Sequence, residues 1–280
     1  MPENRTLYLE TTATADRIFG LPETIEALKQ ICRSNVLLSS AYVWSEFRHT
    51  FIRDAVVCHT YLVNSLEVGD SLSVALLRVR RAPEFRFRPR RANRAWDIVA
   101  RLHDIPLLSL SDAIAQLEKD IRYSLCRLFF KGLQVPLLDT VACKRTDENP
   151  TEIPPSTTGG YARFTMRSAC SKESPPDCNI VTFWKRNKGD LSMVAAMTLP
   201  TPIKRETRVE LETMKAQAQK VLDAIDSDPG ECHGEGCYAV LSDLVIALEC
   251  PPAVPIVTRN SRHFAPLCGA LSRPAPISYG

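Results

Sequence analysis

Residues 241–264 read LSDLVIALECPPAVPIVTRNSRHF, and they combine three features of a parallel α/β fold. The apolar run at 238–248 has the length of a helix, and the two prolines after it end that helix. Residues 254–257 form a short apolar run typical of a buried strand, and a second helix is predicted to begin near Ser261. This order is typical of an open parallel sheet, whose ligands bind at the carboxyl ends of the strands.

A similar pattern occurs near the beginning of the chain. Residues 6–9 are a short apolar strand signal, and an amphipathic helix is predicted to begin at Pro22. Residues 36–38 are a second strand signal, followed by Ser39 and Ser40 as candidate caps of another helix. We therefore expect an α/β domain with a central parallel sheet made from both ends of the chain.

The middle of the chain is expected to interrupt this domain. Ser111 and Asp112 are predicted to cap a helix, and residues 141–176 are rich in Thr, Pro, Ser, Glu and Gly, which indicates loops. Residues 179–184 and 191–197 predict a β-hairpin, and residues 204–225 predict a helix with Val209 and Met214 facing the core. We expect an N-terminal part with an arginine-rich segment at 1–136, a loop-rich insertion at 137–203, and a completing part at 204–280.

Composition restricts the class of protein. The chain has 280 residues, 45% of them apolar and 24% charged, which excludes wholesale disorder. No run approaches the roughly 18 apolar residues that cross a bilayer, so we expect no membrane contact and a cytoplasmic location. Because the net charge is only +3, affinity for nucleic acid must come from local clusters of positive charge.

One such cluster lies at residues 78–101, where arginines alternate with Phe85, Phe87 and Trp96. Arginines contact phosphates and aromatic rings stack on bases, so the segment indicates nucleic-acid binding. The alternative is a solvated surface that pairs with acidic side chains. We favour nucleic-acid contact, with these candidate residues: Arg86, Arg88, Arg90 and Arg91.

Four polar residues stand in apolar surroundings at the two ends of the chain. Glu10 follows the first strand, Glu46 and Asp243 lie in apolar helical patterns, and Asn260 follows the last strand. Converging carboxylates bind Mg²⁺ or Mn²⁺, and such a site activates water for attack on a phosphodiester. Three of them also have a structural interpretation: Glu46 as a solvated helix residue, Asp243 as a helix N-terminal acid, and Asn260 as a turn residue.

At these residues the chain resembles the PIN-domain nucleases. Leu9-Glu10-Thr11-Thr12 matches the Leu-Asp-Thr-Asn-like segment that ends the first strand in that family, and Glu46 matches a glutamate on an early helix. Asp243 matches the aspartate that starts an Ile/Ala-rich helix, and residues 258–264 match Thr-x-Asp/Asn-x-x-x-Phe. The resemblance covers residues 6–56 and 237–270. Two departures are Glu10, one methylene longer than Asp, and Asn260, which carries no charge.

The resemblance implies a three-layer PIN-like fold and a metal-dependent endonuclease that cuts RNA more readily than DNA. Glu10, Glu46 and Asp243 would bind Mg²⁺ or Mn²⁺ with help from Asn260, and Thr258 and Arg259 would orient the site and contact substrate. It also implies an inhibitory protein partner and a homodimer. The alternative is a catalytically degenerate PIN-like protein that binds nucleic acid or a protein partner without cleavage.

Four of the ten cysteines flank polar loops with Gly or Pro: Cys170, Cys178, Cys232 and Cys237. Together they could form a structural tetrahedral zinc site, with His233 as a substitute ligand. Their spacing is looser than that of a usual zinc knuckle, so free thiols are the competing interpretation. A third functional hypothesis follows, in which residues 141–237 form a zinc-clipped interaction module.

Overall fold

The computed structural model describes residues 5–86, 109–124, 135–138, 150–155, 160–166, 179–227 and 241–279. The chain forms two compact units. Unit 1 comprises Met1–Phe47, Val135–Thr146 and Ala169–Gly280, and unit 2 comprises Arg48–Gln134 and Asp147–Ser168. None of the helices in the described ranges is both long and apolar enough to span a membrane.

The secondary structure alternates between helices and short strands. The strands are β1 (Thr6–Leu9), β2 (Val36–Ser40), β3 (Leu137–Leu138), β4 (Thr151–Ile153), β5 (Arg163–Thr165), β6 (Ile256–Thr258) and β7 (Ile277–Ser278). The helices are α1 (Thr11–Phe19), α2 (Pro22–Cys32), α3 (Ala41–Glu67), α4 (Leu72–Arg81), α5 (Pro83–Arg86), α6 (Leu110–Lys119), α7 (Asn179–Arg186), α8 (Lys188–Ala196), α9 (Arg205–Ser227), α10 (Ser242–Glu249) and α11 (Ser261–Ala270).

A parallel sheet forms the centre of unit 1, with strand order β3-β2-β1-β6-β7. In register, Tyr8 pairs with Ile256 and Leu9 with Val257. β1 and β6 are buried almost completely, which explains why both read as continuous apolar runs rather than as alternating ones. The predicted α/β class and central parallel sheet are confirmed.

The sheet reverses its order between β1 and β6. From β1 the chain continues to β2 on one side, whereas β6 and β7 lie on the other side. In open α/β sheets such a reversal leaves a crevice at the carboxyl ends of the strands, and ligands bind there. Here those ends are followed directly by Glu10 and by the turn that contains Asn260.

The helices of unit 1 pack through a single apolar core. α9 contacts α7, α8 and α11, and α10 contacts α11. Trp184, Leu191, Leu211 and Phe264 are fully buried in this core. Burial of each large apolar side chain contributes about 1.5–3 kcal/mol, so these contacts stabilise α9 against the helices that flank the sheet.

The hairpin predicted at residues 179–197 is wrong, because this segment forms α7 and α8. Phe183, Trp184, Leu191 and Val194 lie on helical faces that pack into the core with α9. The β-propensity of residues 180–183 is overridden by this burial. In the predicted insertion, the antiparallel pair that the structure describes is β4 with β5, which belongs to unit 2.

Unit 2 combines helices with the β4–β5 pair around buried polar groups. His59 on α3 is buried, and its Nε2 lies 3.3 Å from Oε1 of Glu118. Glu118 also accepts the main-chain N–H of Ala162 and pairs with Arg122, which in turn binds Glu152 on β4. These contacts join α3, α6, the π-helical turn Asp120–Ser124 and the two strands. The Nδ1 atom of His59 has no hydrogen-bond partner among the described residues.

Two details of the predicted helices differ from the structure. The predicted cap at Ser111 and Asp112 is wrong, because Ser109 is the N-cap of α6 and forms a capping box with Asp112. The Ser109 hydroxyl accepts the Asp112 N–H at 3.1 Å, and the Ser109 N–H donates to Asp112 Oδ2 at 3.2 Å. Met214 on α9 is buried as predicted, but Val209 is 54% exposed.

The capping box predicts different effects for two neighbouring serines. Ser109→Ala should lower the free energy of unfolding of unit 2 by about 1 kcal/mol, because the Asp112 N–H in the first turn of α6 loses its acceptor. Ser111→Ala lies within the first turn and should change it by no more than about 0.5 kcal/mol. Urea unfolding followed by hydrogen exchange of the α6 amides measures both, and an equal loss in the two variants would contradict this assignment of the cap.

Candidate functional site

The candidate site lies in unit 1, where four chain segments meet at the carboxyl end of the sheet. Glu10 follows β1, Asn260 follows β6, Asp243 is in the first turn of α10, and Glu46 is in the first turns of α3. The hydroxyl of Thr11 donates to the Glu46 carboxylate, and the Asn260 amide donates to Asp243 Oδ2 at 3.3 Å. The charge of Asp243 also acts on Glu10. The structure therefore brings Asn260 to Asp243 and Asp243 near Glu10, and it links Glu46 to Thr11, the residue after Glu10.

Glu10 is the N-cap of α1 and is only 3% exposed. Its Oε2 accepts the main-chain N–H of Thr12 at 2.7 Å, and its Oε1 accepts that of Ala13 at 3.0 Å. The hydroxyl of Thr12 also donates to Oε1. The carboxylate thus binds N–H groups that every helix leaves free at its beginning, which explains why it tolerates burial.

The pKa of Glu10 is raised from its ordinary value of 4.5 to about 7. Burial is the main cause, and the hydrogen bonds from Thr12 and Ala13 offset only part of it. The negative charge of Asp243 raises the pKa further. A buried carboxyl group near a second negative charge is costly to ionise, and a cation beside it would lower that cost.

Asp243 is paired with a histidine that links three helices. Nδ1 of His263 on α11 lies 2.8 Å from Asp243 Oδ2, and Nε2 lies 2.6 Å from Oε2 of Glu210 on α9. The Asn260 amide nitrogen is 2.9 Å from the same Nδ1, so the amide, the ring and the carboxylate meet at one point. Arg262 lies 3.6 Å from the Glu210 carboxylate.

The pKa of His263 is raised, although two effects oppose each other. Burial alone would lower the pKa of the ring, but the hydrogen bonds and charges of Asp243 and Glu210 together outweigh burial. The charged ring donates from both nitrogens, one N–H to each carboxylate. His263 therefore places a positive charge beside an otherwise acidic group of side chains.

Thr258 and Arg259 have different positions at the end of β6. Thr258 is fully buried, and its hydroxyl accepts the N–H of Asn260 at 2.7 Å, which fixes the turn. The Arg259 side chain is 45% exposed and lies 3.2 Å from Asp16 on α1. The Tyr279 hydroxyl donates to the same Asp16 at 2.9 Å, and burial together with the Asp16 charge raises the pKa of Tyr279. Asp16 thus holds the guanidinium group of Arg259 near the turn.

The residues at the site have the right donor chemistry for Mg²⁺ or Mn²⁺. Glu10, Glu46 and Asp243 offer carboxylate oxygens and Asn260 an amide oxygen, which hard cations prefer. The raised pKa of Glu10 beside Asp243 also fits a place that a cation would stabilise. Within the described residues no three His, Cys, Asp or Glu side chains lie together in an arrangement that could hold a metal ion. Metal binding would therefore replace present hydrogen bonds, such as the one between Thr11 and Glu46.

Several predicted site residues lie outside the part of the chain that the structure describes. These are the zinc candidates and the arginines that follow α5: Cys170, Cys178, Cys232, Cys237, Arg88, Arg90 and Arg91. Arg86 is the last residue of α5, but its side chain is also outside the described set. The zinc clip and the nucleic-acid contact of the arginine-rich segment stay predictions.

The structure adds residues that the sequence pattern did not select. Glu210 is far from the motifs along the chain, and only the packing of α9 against α11 brings it to His263. His263 lies inside the Thr258–Phe264 motif, so its position three residues after Asn260 was the available signal. Asp16 follows Thr12 by one helical turn on α1, which places it on the same face of the helix as Thr12.

Comparison of the chain with protein-family models, with curated proteins and with solved structures finds no match. Any inference about function therefore rests on the fold and on the geometry of the site. The relevant facts are the parallel sheet, its reversal between β1 and β6, and the acidic side chains at that place.

The raised pKa of Glu10 predicts a change in the pH dependence of stability. The Glu10 carboxyl group binds its proton more tightly in the native state than in the unfolded state. Its contribution to the free energy of unfolding is therefore complete below pH 4.5 and is lost as the pH rises through about 7. Glu10→Gln should remove this loss, which amounts to about 3 kcal/mol. Relative to the wild type, the variant should therefore gain stability between pH 4.5 and pH 8.

Urea unfolding at several pH values in EDTA measures the difference between wild type and Glu10→Gln. A difference that stays constant with pH would show that Glu10 does not titrate in this range. Thr12→Val serves as the second variant, because it removes a hydrogen bond that lowers the pKa of Glu10. Its loss of stability should therefore continue to higher pH and be larger in total than that of the wild type.

Proposed function

We propose that this chain is a metal-dependent endonuclease of the PIN type that hydrolyses phosphodiester bonds, in RNA more readily than in DNA. The observation that carries the proposal is the meeting of acidic side chains from separate chain segments at the reversal of the parallel sheet. Ligand sites of open α/β sheets occur at this place. The order of the residues along the chain also supports a PIN-like fold.

Glu10, Glu46 and Asp243 would hold a Mg²⁺ or Mn²⁺ ion, with the amide oxygen of Asn260 as a neutral fourth ligand. When bound, the ion supplies activation of water and neutralises negative charge on the phosphodiester. The buried position of Glu10 keeps bulk water away from one side of the site. Thr258 fixes the turn, and so determines where the Asn260 side chain begins.

Arg259 and Arg262 would contact the phosphates of the substrate. Their side chains are 45% and 49% exposed, and both belong to the turn and first helical residues that follow β6. Asp16 orients Arg259 and Glu210 orients Arg262, so neither guanidinium group has to be ordered entirely by the substrate. Charged hydrogen bonds of this kind suit phosphate recognition.

A second candidate function is a PIN-like module that binds nucleic acid or a protein partner without cleavage. The pairing of Asp243 with the charged ring of His263 favours it, because a cation then already neutralises this carboxylate. The lack of charge on Asn260 and the capping contacts of Glu10 favour it as well. An inhibitory partner, a homodimer and a cytoplasmic location stay predictions from the sequence.

Cleavage of end-labelled single-stranded RNA and DNA in Mn²⁺ tests the nuclease proposal. We expect metal-dependent cutting that EDTA abolishes and that Asp243→Asn reduces by about 100-fold or more, because the amide no longer provides the negative charge. Glu212→Gln, on an exposed face of α9, is the matched control and should cut like the wild type. Binding without cutting under all these conditions would favour the binding module.

Two further variants separate a weakened nuclease from a binding module. Glu10→Asp and Asn260→Asp restore the acids typical of the family at the two positions where this chain departs from it. In a weakened nuclease, either change should increase the rate of cutting in Mn²⁺. If neither variant cuts while both still bind RNA, the nuclease proposal is wrong.

A further inference from the structure

His263 occupies an unusual position between two carboxylates. Its side chain is only 14% exposed, and each ring nitrogen lies within 2.8 Å of a different acidic oxygen. Asp243 on α10 and Glu210 on α9 provide these oxygens. The imidazole ring therefore cannot rotate about the bond that joins it to Cβ without breaking both contacts.

The two contacts to Asp243 fall on the same oxygen atom. Nδ1 of His263 lies 2.8 Å from Oδ2, and the Asn260 amide nitrogen lies 3.3 Å from Oδ2. The other oxygen, Oδ1, accepts no hydrogen bond from the residues that the structure describes. One half of the carboxylate is thus held by the protein, and the other half keeps its capacity to bind a ligand.

We propose that His263, anchored by Glu210, is a positioning residue that holds Asp243 through Oδ2 so that Oδ1 binds the divalent ion. This inference rests on the proposed function, because it assigns a role around the same metal. Partners that orient metal-binding side chains typically change metal affinity 10- to 100-fold when they are replaced. His263 itself touches neither the ion nor the substrate in this scheme.

Two neutral variants of His263 distinguish the contact made by Nδ1 from the contact made by Nε2. The side-chain amide nitrogen of Asn lies close to the place of Nδ1, whereas that of Gln lies close to the place of Nε2. His263→Asn therefore keeps the contact with Asp243, and His263→Gln keeps the one with Glu210. Because both variants remove the same ring and the same positive charge, the difference between them reports on position alone.

Binding of Mn²⁺ to the intact chain, measured by electron paramagnetic resonance without nucleic acid, provides the first readout. We expect His263→Asn to bind Mn²⁺ about 10-fold or more tightly than His263→Gln. Equal affinities, or tighter binding by His263→Gln, would overturn the positioning role. Circular dichroism and thermal unfolding establish that both variants fold.

A second readout does not depend on the metal. The carbon-13 resonance of the Asp243 carboxyl group, recorded in EDTA, should move farther from its wild-type position in His263→Gln than in His263→Asn. Equal shifts in the two variants would overturn the inference. If the wild type does not bind Mn²⁺, the metal of the proposed function is wrong, and the carboxyl resonance alone decides whether His263 positions Asp243.

Discussion

Main-chain pairing of β1 with β6 joins segments that are far apart in the sequence, since Tyr8 pairs with Ile256. Because the two strands are parallel, their carboxyl ends meet at the same edge, and Glu10 comes to lie near the turn that contains Asn260. α10 immediately precedes β6, so the same pairing also brings Asp243 to this edge. Without this register Glu10 would not lie near Asp243 and Asn260.

The acidic groups at this edge are stabilised in different ways. Glu10 accepts the free N–H groups of α1, and Asp243 lies in the first turn of α10, where the helix dipole favours negative charge. His263 adds a positive charge between Asp243 and Glu210. Local helix ends and one imidazole ring therefore allow several carboxylates to share a partly buried space that would otherwise be unfavourable for them.

The parts of the fold that were predictable from the sequence are those with a strong local signal. β1, β2 and β6 are short apolar runs, and Ser40 does cap α3, because its hydroxyl accepts the N–H of Val43. The hairpin prediction was wrong because it relied on the β-propensity of the residues before Phe183. The helical spacing of the buried residues decides the structure, and their partners on α9 are distant in the sequence. The role of Glu210 was not predictable, since tertiary packing alone brings it to His263.

The pairing of Tyr8 with Ile256 also has a consequence for synthesis of the chain. Translation produces β1 and β2 well before β6, because a long segment separates Ser40 from Ile256. Contacts of such long sequence separation form late in folding, after helices and other local structure. Until β6 has been made, the nascent chain therefore leaves the β6-pairing side of β1 without its partner and has no Asn260 beside that edge. A prematurely terminated product that lacks β6 would carry Glu10 and Glu46 without Asp243 or Asn260.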